Sequence, residues 1–265
     1  MKEKKLLKIG RYLLAALLFC LGISIFLSVP VKAKTQAYKK YTIQGVDYWK
    51  NGTNTVYLSQ STLTLYHKKN GQKTVIAKLS YEKDDPAEMR SYAVFGVYKN
   101  IVVVGAYSGQ MESKVYCYDM AGKKRIQTIE KCRIMEKSGN YFVTTPEMIS
   151  DSGPFQTQVY QLTAAGLKKI CSLDSYACGF QVYQGDFIYG SYPSYPRDAQ
   201  KNMTAFRYSP KKNRKTKLFQ IKGTGDYCQV MLQMVEGDTV TATESGSNGS
   251  KTYCYNFTTG KLKKV

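Results

Sequence analysis

The chain has 265 residues, 43% of them hydrophobic and 13% aromatic, and carries 39 Lys and Arg against 19 Asp and Glu for a net charge of +20. That length is ample for a sizeable core and fits one large all-β domain. The basic excess favours polyanionic partners, and a single histidine with no CxxC or CxxH spacing removes support for a zinc site.

In chain order, "MKEKKLLKIGR" is a basic stretch, "YLLAALLFCLGISIFLSV" is an uninterrupted apolar run, and "PVKA" places the small residues Val31 and Ala33 where a signal peptidase reads. This order predicts a secretory signal helix over residues 1–33, cleaved after Ala33. The rival reading is an uncleaved anchor, in which residues 12–29 alone meet the membrane. The expectation is a protein secreted or exposed at the cell surface. The signal style and the Lys- and Tyr-rich makeup suggest a Gram-positive source.

Residues 34–265 are expected to form one repeat-built domain. Five stretches read as strand, turn, strand: "LTLYHKKNGQKTVIAKL" from Leu63, "VYCYDMAGKKRIQTI" from Val115, "VYQLTAAGLKKICSL" from Val159, "AFRYSPKKNRKTKLFQI" from Ala205 and "TYCYNFTTGKLKKV" from Thr252. They align on Tyr66, Tyr118, Leu162, Tyr208 and Tyr255. Shortly after each anchor stands Gly71, Gly122, Gly166, Asn213 or Gly260, residue types that tolerate the positive φ of a short hairpin turn. A second strand–turn–strand precedes each hairpin, as in "CGFQVYQGDFIYGSYPS" with its turn at Gln184-Gly185-Asp186.

Four strands per unit at a period of about 40–50 residues is the signature of a propeller blade. The predicted fold class is therefore all-β: a five-bladed β-propeller of four-stranded antiparallel blades, following the signal helix. The blades fall near residues 40–81, 90–131, 132–174, 176–222 and 226–265. Burial of both faces of each blade explains why "IVVVG" is apolar throughout rather than alternating. Closure is expected from the fifth blade packing on the first, with "KTQAYKK" pairing with the last strand, "KLKKV".

The stretches "GDFIYGSY" (Gly185–Tyr192) and "VYCYDMAGK" (Val115–Lys123) resemble the bacterial extracellular propeller proteins of the YWTD-like and domain-of-unknown-function type. The likeness covers nearly all of the chain after the signal, without the YWTD tetrad. It implies the fold and export, and it carries over no catalytic residue.

Six cysteines follow the signal: Cys117, Cys132, Cys171, Cys178, Cys228 and Cys254. An even count in an exported chain permits three disulfides, with the pairing open. Cys117 and Cys254 stand one residue before an anchor, where a small buried hydrophobe fits as well as a bridge.

The chemistry of catalysis is thinly represented. Glycoside hydrolysis needs two carboxylates flanking one bond, yet the expected innermost strands offer only Asp47. Glu136, Asp186, Glu236 and Asp238 fall at or next to turns, where carboxylates are ordinarily solvated. His67, the one histidine, reads as an exposed turn residue. No nucleophile elbow, phosphate loop or dinucleotide fingerprint occurs, so no catalytic residue, metal or cofactor is expected.

Binding is expected on the unrepeated loops, because loops on a rigid scaffold carry function. Tyr192, Tyr195, Phe155 and Arg197 would form a stacking surface for a sugar or peptide, and Asp84 and Asp85, with Glu88, give the loop Ser80–Arg90 an acidic cluster whose spacing matches no standard calcium loop. The functional expectation is an exported, non-catalytic binding or scaffold module of the cell envelope. Its partner would be an anionic wall polymer, a glycan or another envelope protein, with nucleic acid disfavoured for want of a recognition module. The alternative is a polysaccharide-acting enzyme of propeller type.

Overall fold

Among the described residues, twenty-one strands pair with sequence neighbours into five antiparallel sheets. The computed structural model describes residues 37–79, 91–107, 113–146, 156–175, 177–193, 202–224, 228–247 and 249–265. The expected signal helix lies outside these described residues.

The first sheet holds β1 (Lys39–Ile43), β2 (Val46–Asn51), β3 (Asn54–Ser59), β4 (Thr64–Lys69) and β5 (Gln72–Lys78). The second holds β6 (Ser91–Tyr98), β7 (Ile101–Tyr107), β8 (Lys114–Asp119) and β9 (Lys124–Ile129). The third holds β10 (Cys132–Ser138), β11 (Tyr141–Pro146), β12 (Gln156–Thr163) and β13 (Gly166–Ser175). The fourth holds β14 (Ala177–Tyr183), β15 (Asp186–Ser191), β16 (Asn202–Ser209) and β17 (Arg214–Lys222). The fifth holds β18 (Gln229–Glu236), β19 (Thr239–Gly246), β20 (Gly249–Asn256) and β21 (Lys261–Lys264). The chain is thus all-β and propeller-like, with meander connectivity throughout.

Strand pairing differs from the sequence expectation in two details. The first sheet has five strands rather than four, because β1 adds to the inner edge of β2 with Tyr41 opposite Tyr48. The pairing of "KTQAYKK" with "KLKKV" is not made: Lys39 and Lys40 sit opposite Lys50 and Trp49, and β21 pairs with β20.

The turns follow the expected chemistry with one shift. Gly71, Gly166, Asn213 and Gly260 take positive φ. In the second sheet the left-handed residue is Lys123 (φ 50°), not Gly122. There the Asp119 carboxylate accepts the Ala121 and Gly122 N–H groups, both at 3.1 Å, and builds the turn from a side chain.

The core lies between sheets. One cluster packs Trp49, Val56 and Leu65 of the first sheet on Val94, Val102 and Tyr116 of the second. Others join the second to the third, the third to the fourth and the fourth to the fifth. None of the four clusters joins the fifth sheet to the first, so the expected packing of the last unit on the first is not found among the described residues. The doubly packed second sheet explains the apolar run: every residue from Ile101 to Ala106 in β7 is buried.

Each interface is also pinned by a side chain that reaches the first strand of the next sheet. These first strands are bulged against their partners, at Val94/Gly96, Ile134/Glu136, Cys178/Gln181 and Leu232/Val235. A bulge strengthens local twist and leaves backbone groups outside the ladder. Trp49 Nε1 donates to the Val94 carbonyl at 3.2 Å, the Tyr107 hydroxyl to Ile134 at 3.4 Å, and the Tyr192 hydroxyl to Val230 at 2.6 Å. At the remaining interface the polarity is reversed: the Glu136 carboxylate accepts N–H bonds from Gly179, at 2.8 Å, and from Phe180. Glu136 is therefore an inter-sheet acceptor inside β10, not the solvated turn residue the sequence suggested.

Candidate functional site

A cleft of about 410 Å³ opens on the outer hairpin of the fourth sheet, lined by Asp186, Arg207, Ser209, Lys212, Arg214, Thr216 and Leu218. Register explains why these residues meet. Arg207 lies opposite Thr216 and Ser209 opposite Arg214, so alternate residues of β16 and β17 share one face. Asp186 begins β15, and its carboxylate takes Arg207 Nε at 2.6 Å. Arg207 also covers the Tyr183 ring, with its guanidinium 5.6 Å from the centroid. Lys212 and Arg214 are exposed at the mouth.

Three cations against one carboxylate leave the cleft positive. Guanidinium groups present paired donors that match carboxylate or phosphate, and the two hydroxyls add neutral hydrogen-bonding groups. The arrangement suits an anionic ligand with polar substituents. The strand residues carrying it belong to the repeated hairpin, not to the unrepeated loops on which the sequence leads one to expect binding.

Of the residues expected to bind, Tyr192 alone falls among the described residues. It is 8% exposed and packs in the core between the fourth and fifth sheets. Burial pushes its hydroxyl well above the usual phenol range. Its ring serves packing and its hydroxyl serves Val230, which corrects the expected place on an open stacking surface. Phe155, Tyr195, Arg197, Asp84 and Asp85 lie outside the described residues. His67 sits within β4, half-buried, with Nε2 at 3.2 Å from Asn54 Oδ1, rather than exposed at a turn. Burial, with Lys69 nearby, holds it below the usual histidine range.

Other polar groups bridge packed elements. Glu244 is 3% exposed. It accepts the Thr224 N–H at 3.0 Å, Lys251 Nζ at 2.9 Å and the Tyr253 hydroxyl at 2.7 Å. These bonds hold its carboxyl down at about 2 despite burial, and they push the Tyr253 hydroxyl up to about 12. Lys137 is exposed as a residue, yet its ammonium lies 4.0 Å from the centroid of the Trp49 ring, and desolvation, with Lys40 nearby, lowers its amine to about 8. Burial pushes the Cys117 and Cys171 thiols up to about 11, the behaviour of packing residues rather than nucleophiles. Among the described residues no group of three or more His, Cys, Asp or Glu side chains is placed to hold a metal ion.

No protein-family model matches the chain, and no curated protein does. Among solved structures, a prolyl endopeptidase is similar at 13% identity and TM-score 0.47, over 86% of this chain and 35% of that one. Trypanosoma brucei oligopeptidase B with covalently bound antipain is similar at 12% identity and TM-score 0.47, over 81% and 32%. An oligogalacturonate lyase in complex with manganese is similar at 11% identity and TM-score 0.41, over 85% and 63%. The chain spans about a third of the length of the peptidases and less than two thirds of the lyase. These structures are of two peptidases and a lyase, not of non-catalytic envelope modules such as the sequence led one to expect, and none of their activities carries over to this chain.

Proposed function

We propose that the five sheets are the blades of a propeller left open between the fifth and the first, and that the chain acts outside the cell on an acidic polysaccharide. The observation that carries this reading is the cleft in which Arg207, Lys212 and Arg214 outnumber the single carboxylate of Asp186. A uronate polymer offers a carboxylate for the guanidinium groups and hydroxyls for Ser209 and Thr216. Residues 34–265 hold 33 of the 39 basic and 18 of the 19 acidic residues, and that excess supports long-range attraction of such a polymer. Export rests on the first 33 residues, with their basic, apolar and small-residue order.

Incubation with polygalacturonate and with neutral dextran, followed by size-exclusion analysis, tests the reading. Shortening of the polyuronate, reduced in Arg207→Gln and absent with dextran, is expected. Unchanged polymer lengths in both incubations would remove the enzymatic part of the proposal.

A further inference from the structure

Among the described residues, the first sheet has one packed face and one open face. The packed face carries Trp49, Val56 and Leu65 against the second sheet. On the opposite face the register sets Tyr41 beside Tyr48, Tyr48 beside Tyr57 and Tyr57 beside Tyr66, a ladder across four strands. The Tyr48 and Tyr57 centroids are 5.2 Å apart, and those of Tyr57 and Tyr66 are 5.4 Å apart. Tyr41 is 48% exposed, and on the same face Ile43 is 49% and Val75 40% exposed.

The ladder is bordered by cations. Lys50 Nζ lies 5.6 Å from the Tyr41 ring centroid and 5.9 Å from that of Tyr48, while Lys73 Nζ lies 3.7 Å from that of Tyr66. The strand residues of this face include no Asp or Glu; Asp47 points to the other side, where it pairs with Lys40 at 2.7 Å. Aromatic rings in a row, positive borders and no acid form a surface complementary to a polyanion with apolar ring faces.

We propose that this face is a binding platform for an acidic polysaccharide, with sugar rings lying on Tyr48, Tyr57 and Tyr66 and sugar carboxylates meeting Lys50 and Lys73. The choice of ligand rests on the acidic-polysaccharide reading above; the site is separate from the cleft on the fourth sheet. Charge argues against the fifth sheet as the natural cover. Its outward face sets Thr241 opposite Cys254 and Thr243 opposite Thr252, and on that face Lys261 and Lys263 outnumber the one strand carboxylate, Glu236, so it meets Lys50 and Lys73 with like charge.

Titration of the full chain with polygalacturonate, with dextran as the neutral control, tests the platform. Tyr57→Ala is expected to weaken polyuronate binding about tenfold and Tyr57→Phe to preserve it, because the ring and not the hydroxyl does the stacking. Replacing Lys50 and Lys73 together with Gln is expected to flatten the salt dependence of binding. Circular dichroism checks that each variant is folded. Wild-type binding that Tyr57→Ala leaves intact, but Arg207→Gln abolishes, would overturn the platform and leave the proposed function standing. No polyuronate binding by the wild type would overturn both. A wild-type dimer that Tyr57→Ala dissociates would give the face to a second copy and also overturn the platform.

Discussion

Replacing Glu244 with Ala tests how the fifth sheet is attached. The carboxylate is buried in β19, and it ties the residues before β18 to β20 through Thr224, Lys251 and Tyr253. Hydrogen bonds to a charged group contribute about 1.5–3 kcal/mol each in net terms. The Lys251 side chain is 36% exposed and regains water when its partner leaves, so its share is small. The Thr224 N–H and the Tyr253 hydroxyl carry most of the loss, about 3–4 kcal/mol together, within the range for breaking a buried charged contact. With a urea dependence of about 2–3 kcal/mol/M, the unfolding midpoint should fall by about 1–2 M. A change below about 0.5 kcal/mol, typical of an inert surface site, would refute the reasoning.

The same residue predicts a pH dependence. The carboxyl is held at about 2 when folded, against an ordinary 4.5, so the unfolded chain takes the proton first. The stabilisation is full above about pH 4.5 and is lost as pH falls toward 2. Glu244→Gln should be less stable at neutral pH, and its difference from wild type should shrink across that acid window.

Three further outcomes follow from other positions. Gly179→Ala should lose several kcal/mol or fail to fold, because its φ is 61° and an added Cβ would fall against the Leu232 carbonyl; thermal melting reads this directly. Lys137, lowered to about 8, should acylate faster at pH 8 than the exposed lysines of β21, as measured by peptide mass spectrometry. Cys117, fully buried and pushed up to about 11, should resist a thiol reagent at pH 8 in the native chain and react once urea is added.

The repeat made the strands legible because each hairpin carries its own turn chemistry. Anchors, turn residues and the apolar run of β7 are local signals, and the structure places them as sheet neighbours. What the sequence hid depends on contacts between units. A bulge after Val94 or Ile134 has no residue signature, so the bonds from Trp49 and Tyr107 to those strands were invisible. Glu136 looked solvated because it stands near a turn, yet it meets N–H groups more than forty residues away. The tyrosine ladder is hidden for a different reason: Tyr41, Tyr48, Tyr57 and Tyr66 align only once four strands are in register, and a four-strand repeat leaves no place for β1. Assigning all binding to unrepeated loops set aside the fourth hairpin, where identical topology carries different charges.

The most direct test of the account is the affinity for polygalacturonate of the wild-type chain and of a variant combining Arg207→Gln with Arg214→Gln, measured by calorimetry at low and at high salt. The account predicts wild-type binding that weakens as salt rises, with a loss of about tenfold or more in the variant at low salt. Equal affinity of the two chains, or equal affinity for dextran, would contradict it.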